Sequence, residues 1–308
     1  MDEFELIRRY FDRATVRRDD VELGIGDDAA LVRVPDGHEL AVTTDTMVES
    51  IHFPADAPAH AIGYRALATN LSDLAAMGAA PAWATLALTL PSADEAWLDA
   101  FSRGFFELAE TFDVALIGGD VTRGALTVTV GMYGIVPAGQ ALRRNRARAG
   151  DRIVVTGTLG AAAAGLQAWP AGKEQRGRYL YPQPRVAEGL ALRGYASAAI
   201  DVSDGLLADL GHIIEASGVG AEVEVGEVPL ALEGVEAARA HNMALTGGDD
   251  YELCFTIDPA RLDALRETWQ PGWAELHEIG VVSEQKTLRC IAPDGSLWQA
   301  ETQGFRHF

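Results

Sequence analysis

Val114-Ala115-Leu116-Ile117-Gly118-Gly119-Asp120 reads as a short buried strand closed by two glycines and a carboxylate. Just before it, Trp97, Phe101, Phe105, Leu108 and Phe112 recur at helical spacing, so a helix leads into the strand. Just after it, Thr127 to Val136 alternates as a further strand. Toward the N-terminus, residues 3–12 predict a helix with Phe4, Ile7, Tyr10 and Phe11 on one face. A strand over Leu40–Thr44, ending at Asp45, comes next. Tyr64, Leu67, Leu71 and Leu74 then make the stripe of a longer helix, and Trp83–Leu90 is a strand. Toward the C-terminus, a Gly/Arg-rich stretch from Pro137 to Gly150 marks a domain boundary, giving expected domains 1–137 and 138–308. Beyond it lie a strand at Asp151–Thr156, an Ala-rich helix at 159–169, a Pro-containing connector at 181–185 and a helix at 185–197. A strand at 198–202, a helix carrying Leu206, Leu210, Ile213 and Ile214, and strands at Leu253–Ile257 and Glu278–Val282 complete the series. Helices and strands alternating in two similar halves, with no internal repeat, predict an α/β or α+β fold.

Composition narrows the function. The 308 residues carry 45 acidic and 25 basic side chains, a formal net charge of −20, which disfavours nucleic acid and anionic membranes as partners. No apolar run approaches the ~20 residues of a membrane span, and the acidic start Met1-Asp2-Glu3-Phe4-Glu5 is unlike a secretory leader. Cys254 and Cys290 are too few for a disulfide framework or a four-cysteine zinc site. A cytoplasmic protein is expected.

The informative pattern is the placing of aspartates. Gly26-Asp27-Asp28, Thr43-Thr44-Asp45, Gly118-Gly119-Asp120, Asp201-Val202-Ser203-Asp204-Gly205 and Gly247-Gly248-Asp249-Asp250 fall at predicted strand ends, and Asp73 lies on an otherwise apolar helix. Singly, each is an ordinary turn or cap. Together they suggest hard anionic donors beside glycines that admit a ligand, which is the chemistry of Mg²⁺ and phosphate. The commoner nucleotide motifs are missing. Gly24-Ile25-Gly26-Asp27-Asp28-Ala29 fits G-x-G-x-x-A only by setting two carboxylates against a pyrophosphate, and no Walker loop is present. Arg143, Arg144, Arg146 and Arg148 are either a basic surface linker or the source of a phosphate clamp. His52 stands just beyond the Asp45 cluster.

These clusters, taken in order, resemble the thiamine-monophosphate kinase family, within a wider group that includes aminoimidazole ribonucleotide synthetase and selenophosphate synthetase. The resemblance is carried by Gly24–Ala29, Thr43–Thr46 with His52-Phe53, Asn70–Ala79, Gly118–Gly124, Asp201–Leu206, Gly247–Leu253 and the tail Gly304-Phe305-Arg306-His307-Phe308. It implies a two-domain fold like that of aminoimidazole ribonucleotide synthetase, with mixed sheets flanked by helices. The implied reaction is ATP-dependent phosphorylation of thiamine monophosphate to thiamine diphosphate in a homodimer built through the N-terminal domains. Carried over by position, Asp28, Thr43, Thr44, Asp45, Asp73, Asp120, Asp201 and Asp204 would hold several Mg²⁺ ions. Gly119, Asp120, Arg144 and Ser203 would contact ATP, and His52, Asp249 and Phe305 the thiamine substrate. Asp249 stands where the family usually has Glu, and Phe305 where Tyr is common. The alternatives are a related synthetase or a non-catalytic Mg-nucleotide sensor. The selenophosphate type wants a reactive cysteine near the N-terminus, whereas the first one here is Cys254.

Overall fold

The computed structural model describes residues 3–12, 18–169, 177–231 and 235–300. They fall into two compact units, Met1–Leu74 with Ala79–Gly139, and Ala75–Gly78 with Gln140–Phe308.

The first unit comprises α1 (Glu3–Tyr10), β1 (Val21–Leu23), β2 (Leu31–Val32), β3 (His38–Val48), α2 (Ala59–Ala76), β4 (Ala80–Leu90), α3 (Glu95–Thr111), β5 (Ala115–Arg123) and β6 (Thr127–Pro137). Its main sheet runs β3-β6-β4-β5; β4 and β5 are parallel and the other pairs antiparallel. Asp94 starts α3 by accepting the N–H groups of Ala96 and Trp97 at 2.9 and 3.1 Å. The α2 and α3 backbones meet at two glycines: a Cβ on Gly63 would lie 2.1 Å from the Phe101 carbonyl, and one on Gly104 1.9 Å from that of His60.

Pairing fixes which residues share a sheet face. Thr44 pairs with Gly131, which pairs with Thr85 and through it with Gly118; Thr46 pairs with Thr129, Ala87 and Asp120 in the next row. Thr44, Thr85, Gly118 and Asp120 therefore share one face. Trp83 lies further along it, packed with Val21, Ala30 and Val32 from the β1–β2 region. Thr43, Asp45 and Met47 point to the opposite face, where buried Val128, Val130 and Met132 lie and where α2 reaches Gly134 through Leu74.

The second unit contains β7 (Arg152–Thr156), α4 (Ala161–Gln167), α5 (Gly177–Leu180), α6 (Val186–Leu192), β8 (Ala196–Asp201), α7 (Leu206–Ser217) and β9 (Gly220–Glu224). It continues with α8 (Ala237–Thr246), β10 (Leu253–Ile257), α9 (Pro259–Thr268), β11 (Leu276–Ser283), β12 (Leu288–Ile291) and β13 (Leu297–Trp298). The sheet order is β13-β12-β9-β11-β7-β10-β8, parallel only between β9 and β12. Every residue of β10 is buried, which explains why its sequence is apolar but for Thr256. The core joins Ile153, Val155 and Ile200 of the sheet to Leu206, Leu210 and Ile213 of α7.

Mixed sheets flanked by helices match the expected class. Two strands run on past an aspartate at which the sequence predicts their end. β3 continues past Asp45 to Val48 and β5 past Asp120 to Arg123, so these aspartates lie within strands rather than at their ends. The cause is tertiary: β3 pairs with β6 along its whole length, and β5 with β4 up to Arg123 opposite Leu90. Conversely, the helix expected over 185–197 stops at Leu192, before Gly194 at a φ of 80°.

Candidate active site

The first unit holds a cleft of about 790 Å³. One wall is the loop Gly24–Ala30, a second is Leu116–Val121 of β5 with Thr85 and Leu86 of β4, and a third is the α1 side of Ile7, Arg8, Phe11 and Asp12. Gly119 is required where β5 meets β4: its φ is 151°, and a Cβ there would stand 1.8 Å from the Leu86 carbonyl. The neighbouring Asp120 is exposed in the cleft. Across it, Asp28 donates its backbone N–H to Asp27 Oδ1 at 2.8 Å. Gly26, at a φ of 121°, would direct a Cβ into open space, so the backbone leaves room for a ligand.

On the other sheet face, Thr43 Oγ1 donates to Asp73 Oδ2 at 2.5 Å, tying β3 to α2. The sheet thus gathers Asp28, Thr44 and Asp120 around one face and Thr43, Asp45 and Asp73 on the other. At the end of β3, His52 Nδ1 accepts the N–H of Val48 at 2.9 Å, while the His52 N–H reaches the Val48 carbonyl. That bond makes Nε2 the protonated nitrogen of a neutral ring.

In the second unit, Asp201 is the buried last residue of β8 and the loop Val202–Gly205 leads into α7. This loop is laced to the segment before β10. Val202 N–H reaches the Glu252 carbonyl at 2.8 Å, and the N–H groups of Tyr251 and Asp249 reach the carbonyls of Val202 and Ser203, each at 2.9 Å. Asp249 and Tyr251 adopt left-handed φ values of 71° and 52°, and the Tyr251 hydroxyl donates to Asp249 Oδ1 at 3.1 Å. Arg144 is exposed in a 3₁₀ turn whose backbone is tied through its carbonyl to Ser217 Oγ at 2.9 Å. Phe305 and the tail around it lie outside the described residues.

Three buried carboxylates were given no role by the sequence reading: Asp209 was not singled out, while Asp250 and Glu252 were quoted only as members of the Gly247–Leu253 stretch. Asp209 Oδ2 accepts the N–H groups of Ser203, Asp204 and Gly205 at 2.9, 3.0 and 3.2 Å. Asp250 accepts those of Gly160 and Ala162 at 2.7 and 3.2 Å, at the start of α4. Burial pushes each of these carboxyls up to about 7 against the pull of its N–H donors. Glu252 takes Thr156, Arg178 and Arg185. A usable signal existed for Asp209, a carboxylate inside the otherwise apolar run Leu206–Leu210 just after a Ser/Asp/Gly motif.

Among the described residues, no three His, Cys, Asp or Glu side chains are drawn together as a ready metal site. The chemistry of the donors still fits magnesium: carboxylates and threonine hydroxyls are hard oxygen ligands, with no imidazole or thiolate among them. Both cysteines are buried with their thiols pushed up by burial, Cys290 to about 11, so neither is a reactive thiolate.

Residues 26–136 match the family model described as AIR synthase related protein, N-terminal domain, and residues 148–292 match the corresponding C-terminal domain. The chain is 52% identical to the thiamine-monophosphate kinase of Salmonella typhimurium, over 99% of this chain and 98% of that one. The chain belongs to the thiamine-monophosphate kinase family. A more distant family member, from Bacillus subtilis, is 36% identical over all of both chains. Among solved structures of the family, the thiamine-monophosphate kinase from Stenotrophomonas maltophilia matches with a TM-score of 0.86 at 48% identity, over 92% of this chain and 93% of that one. AaThiL complexed with AMPPCP and TMP matches with a TM-score of 0.78 at 30% identity, over 99% and 96%. Hydrogenase maturation protein HypE in complex with ATP, at 19% identity and a TM-score of 0.79, shares the fold. No helix among the described residues is long and apolar enough to cross a membrane.

Proposed function

We propose that this protein transfers the γ-phosphoryl group of ATP directly to the phosphate of thiamine monophosphate, giving ADP and thiamine diphosphate. The observation that carries this reading is the first-unit cleft. It is built from two motif segments, Gly24–Ala30 and Gly118–Val121, in a chain aligned end to end with thiamine-monophosphate kinases.

The acceptor makes a general base unnecessary. A phosphate monoester has a second pKa of about 6, so near pH 7 its attacking oxygen is already largely deprotonated. The remaining obstacle is repulsion between two anions, and the task of the protein is alignment and charge control. Asp28, Thr43, Thr44, Asp45, Asp73 and Asp120 of the first unit, with Asp201 and Asp204 of the second, would hold magnesium. Bound magnesium would supply the positive charge that offsets phosphate–phosphate repulsion. Gly119, Asp120, Arg144 and Ser203 bind the nucleotide, Arg144 through a forked cationic donor suited to phosphate. His52, Asp249 and Phe305 would contact the thiamine substrate.

The same reading includes a homodimer and a cytoplasmic location. β3 is a long edge strand of the first sheet, and Leu40 and Val42 are 42% and 60% exposed. An apolar edge of this kind calls for a partner, and a second copy paired through the first unit supplies one.

The test is incubation with ATP, Mg²⁺ and thiamine monophosphate, with ADP and thiamine diphosphate followed by mass and free thiamine and aminoimidazole precursors as controls. Turnover should collapse in Asp45→Asn and Asp73→Asn with the fold intact. Full activity in both at limiting Mg²⁺ would refute the metal assignment, and binding of ATP without product over many turnovers would favour a sensor.

A further inference from the structure

The Val202–Gly205 loop leads into the N-terminus of α7, a place where backbone N–H groups commonly receive an anion. Here those groups are already taken. The N–H groups of Ser203, Asp204 and Gly205 all point at Asp209 Oδ2, at 2.9, 3.0 and 3.2 Å, and the Asp209 side chain is buried. The other face of the loop is engaged as well. Val202 N–H goes to Glu252, the carbonyls of Val202 and Ser203 accept from Tyr251 and Asp249, and the Gly205 carbonyl accepts the N–H of Asp209 at 3.0 Å. Gly205, at a φ of 115°, and Gly248, whose Cβ would lie 2.4 Å from the Ser203 carbonyl, allow this close lacing.

We propose that Asp209 is a positioning residue that acts as a built-in anion: by occupying the amide nest of residues 203–205 it keeps phosphate out and turns the side chains of Ser203 and Asp204 toward the nucleotide and its cation. The role rests on the proposed nucleotide site. It deepens that proposal by specifying contact through a hydroxyl and a carboxylate rather than through backbone amides. An unplugged nest would attract a phosphate directly, in competition with the cation that Asp204 is assigned to hold.

The experiment compares Asp209→Ala, Asp209→Asn and Asp209→Glu with the native chain. Amide exchange of the 203–205 segment, the Mg²⁺ half-saturation and the KM values for ATP and thiamine monophosphate are measured for each. In Asp209→Ala, exchange at 203–205 should accelerate at least about tenfold. ATP KM and Mg²⁺ half-saturation should rise about tenfold, the equivalent of one lost contact, against at most about threefold for thiamine monophosphate KM. Asp209→Asn keeps an oxygen acceptor without the charge and should recover only part of the loss. Asp209→Glu keeps the charge but displaces it, and should behave like the alanine variant; it serves as the test should Asp209→Ala not fold. Unchanged exchange in a folded Ala or Glu variant, or equal rises in both KM values, would overturn the proposal. Ser203→Ala and Asp204→Asn separate this outcome from failure of the nucleotide reading. If both leave ATP KM and Mg²⁺ dependence untouched, the loop is not the nucleotide site; if they act and the Asp209 variants do not, the role of Asp209 is wrong.

Discussion

Glu252→Gln should be among the most destabilising conservative changes in the second unit. The Glu252 side chain is 1% exposed and receives Thr156 Oγ1 at 2.8 Å, Arg185 Nε and Nη2 at 2.6 and 2.5 Å, and Arg178 Nη2 at 2.9 Å. Burial alone would lower the pKa of the Arg185 guanidinium; the hydrogen bonds and charge of Glu252, then the charge of Glu188, hold it above its ordinary value. An amide at position 252 keeps the shape and removes the charge. Arg185, itself only 14% exposed, would be left with Glu188 at 3.9 Å as its remaining counter-charge. Removing one member of such a buried pair costs about 3–5 kcal/mol. Arg178 is 32% exposed, so water screens its share, and Arg178→Ala should cost about 1 kcal/mol or less. For a unit of this size that predicts a melting temperature lower by roughly 6–20 °C in Glu252→Gln and by a few degrees in Arg178→Ala. Urea titration followed by tryptophan fluorescence gives both values. The reasoning fails if Glu252→Gln costs less than about 1 kcal/mol, or if Arg178→Ala costs as much as Glu252→Gln.

The Asp250 carboxyl, raised to about 7 by burial, binds a proton more tightly folded than unfolded. Its contribution to stability is therefore greatest in acid and is lost as pH rises from about 4 to 7, at up to about 1.4 kcal/mol per pH unit; Asp250→Asn should flatten that slope in urea midpoints taken across the range. Gly119→Ala would place a Cβ 1.8 Å from the Leu86 carbonyl at a φ of 151°, so the β4–β5 pairing should weaken by about 2 kcal/mol or more, with loss of the ATP-dependent thermal shift. Val42→Asp, at a 60% exposed position, should leave the melting temperature of the protomer nearly unchanged while shifting light-scattering mass from dimer to monomer; an unshifted dimer would remove β3 from the interface.

Long periodic elements were legible in the sequence because one principle governs them. The aromatic knobs of α3, the stripe of α2 and the apolar run Leu253–Ile257 are dictated by burial, and each appears where expected. Short strands were not. β9, β12 and β13 have two to five residues, too few to show a period, and β9 owes its pairing to β11 and β12 far along the chain. The omission of α9 is of another kind, since Asp258-Pro259 is a helix-start signal, and Asp258 Oδ1 does accept the Ala260 N–H at 2.9 Å. At the candidate site, residue types and motifs could be read, but sidedness could not. That Thr43 and Asp45 point away from Thr44 follows from strand alternation, but which of them shares a face with Asp120 follows only once the β3–β6–β4–β5 register is known.

The Gly247–Glu252 motif shows how one short segment divides its labour. Asp249 and Tyr251 sit at left-handed φ, which costs a non-glycine residue on the order of 1 kcal/mol or more. Such a backbone persists only when its surroundings over-determine it, and here they do. Asp250 is fixed by two α4 amides and Glu252 by Thr156 and two arginines, while the N–H groups of Asp249 and Tyr251 are fixed by the carbonyls of Ser203 and Val202. With Asp250 and Glu252 spent on anchoring, the Asp249 carboxylate, oriented by the Tyr251 hydroxyl, is the group of this segment to which the proposed substrate contact is assigned. The shorter arm of Asp249, compared with the glutamate usual in the family, is thus set on a backbone with little freedom to follow the ligand. Any compensation for the missing methylene must come from water or from the substrate, because the loop itself is pinned on both sides.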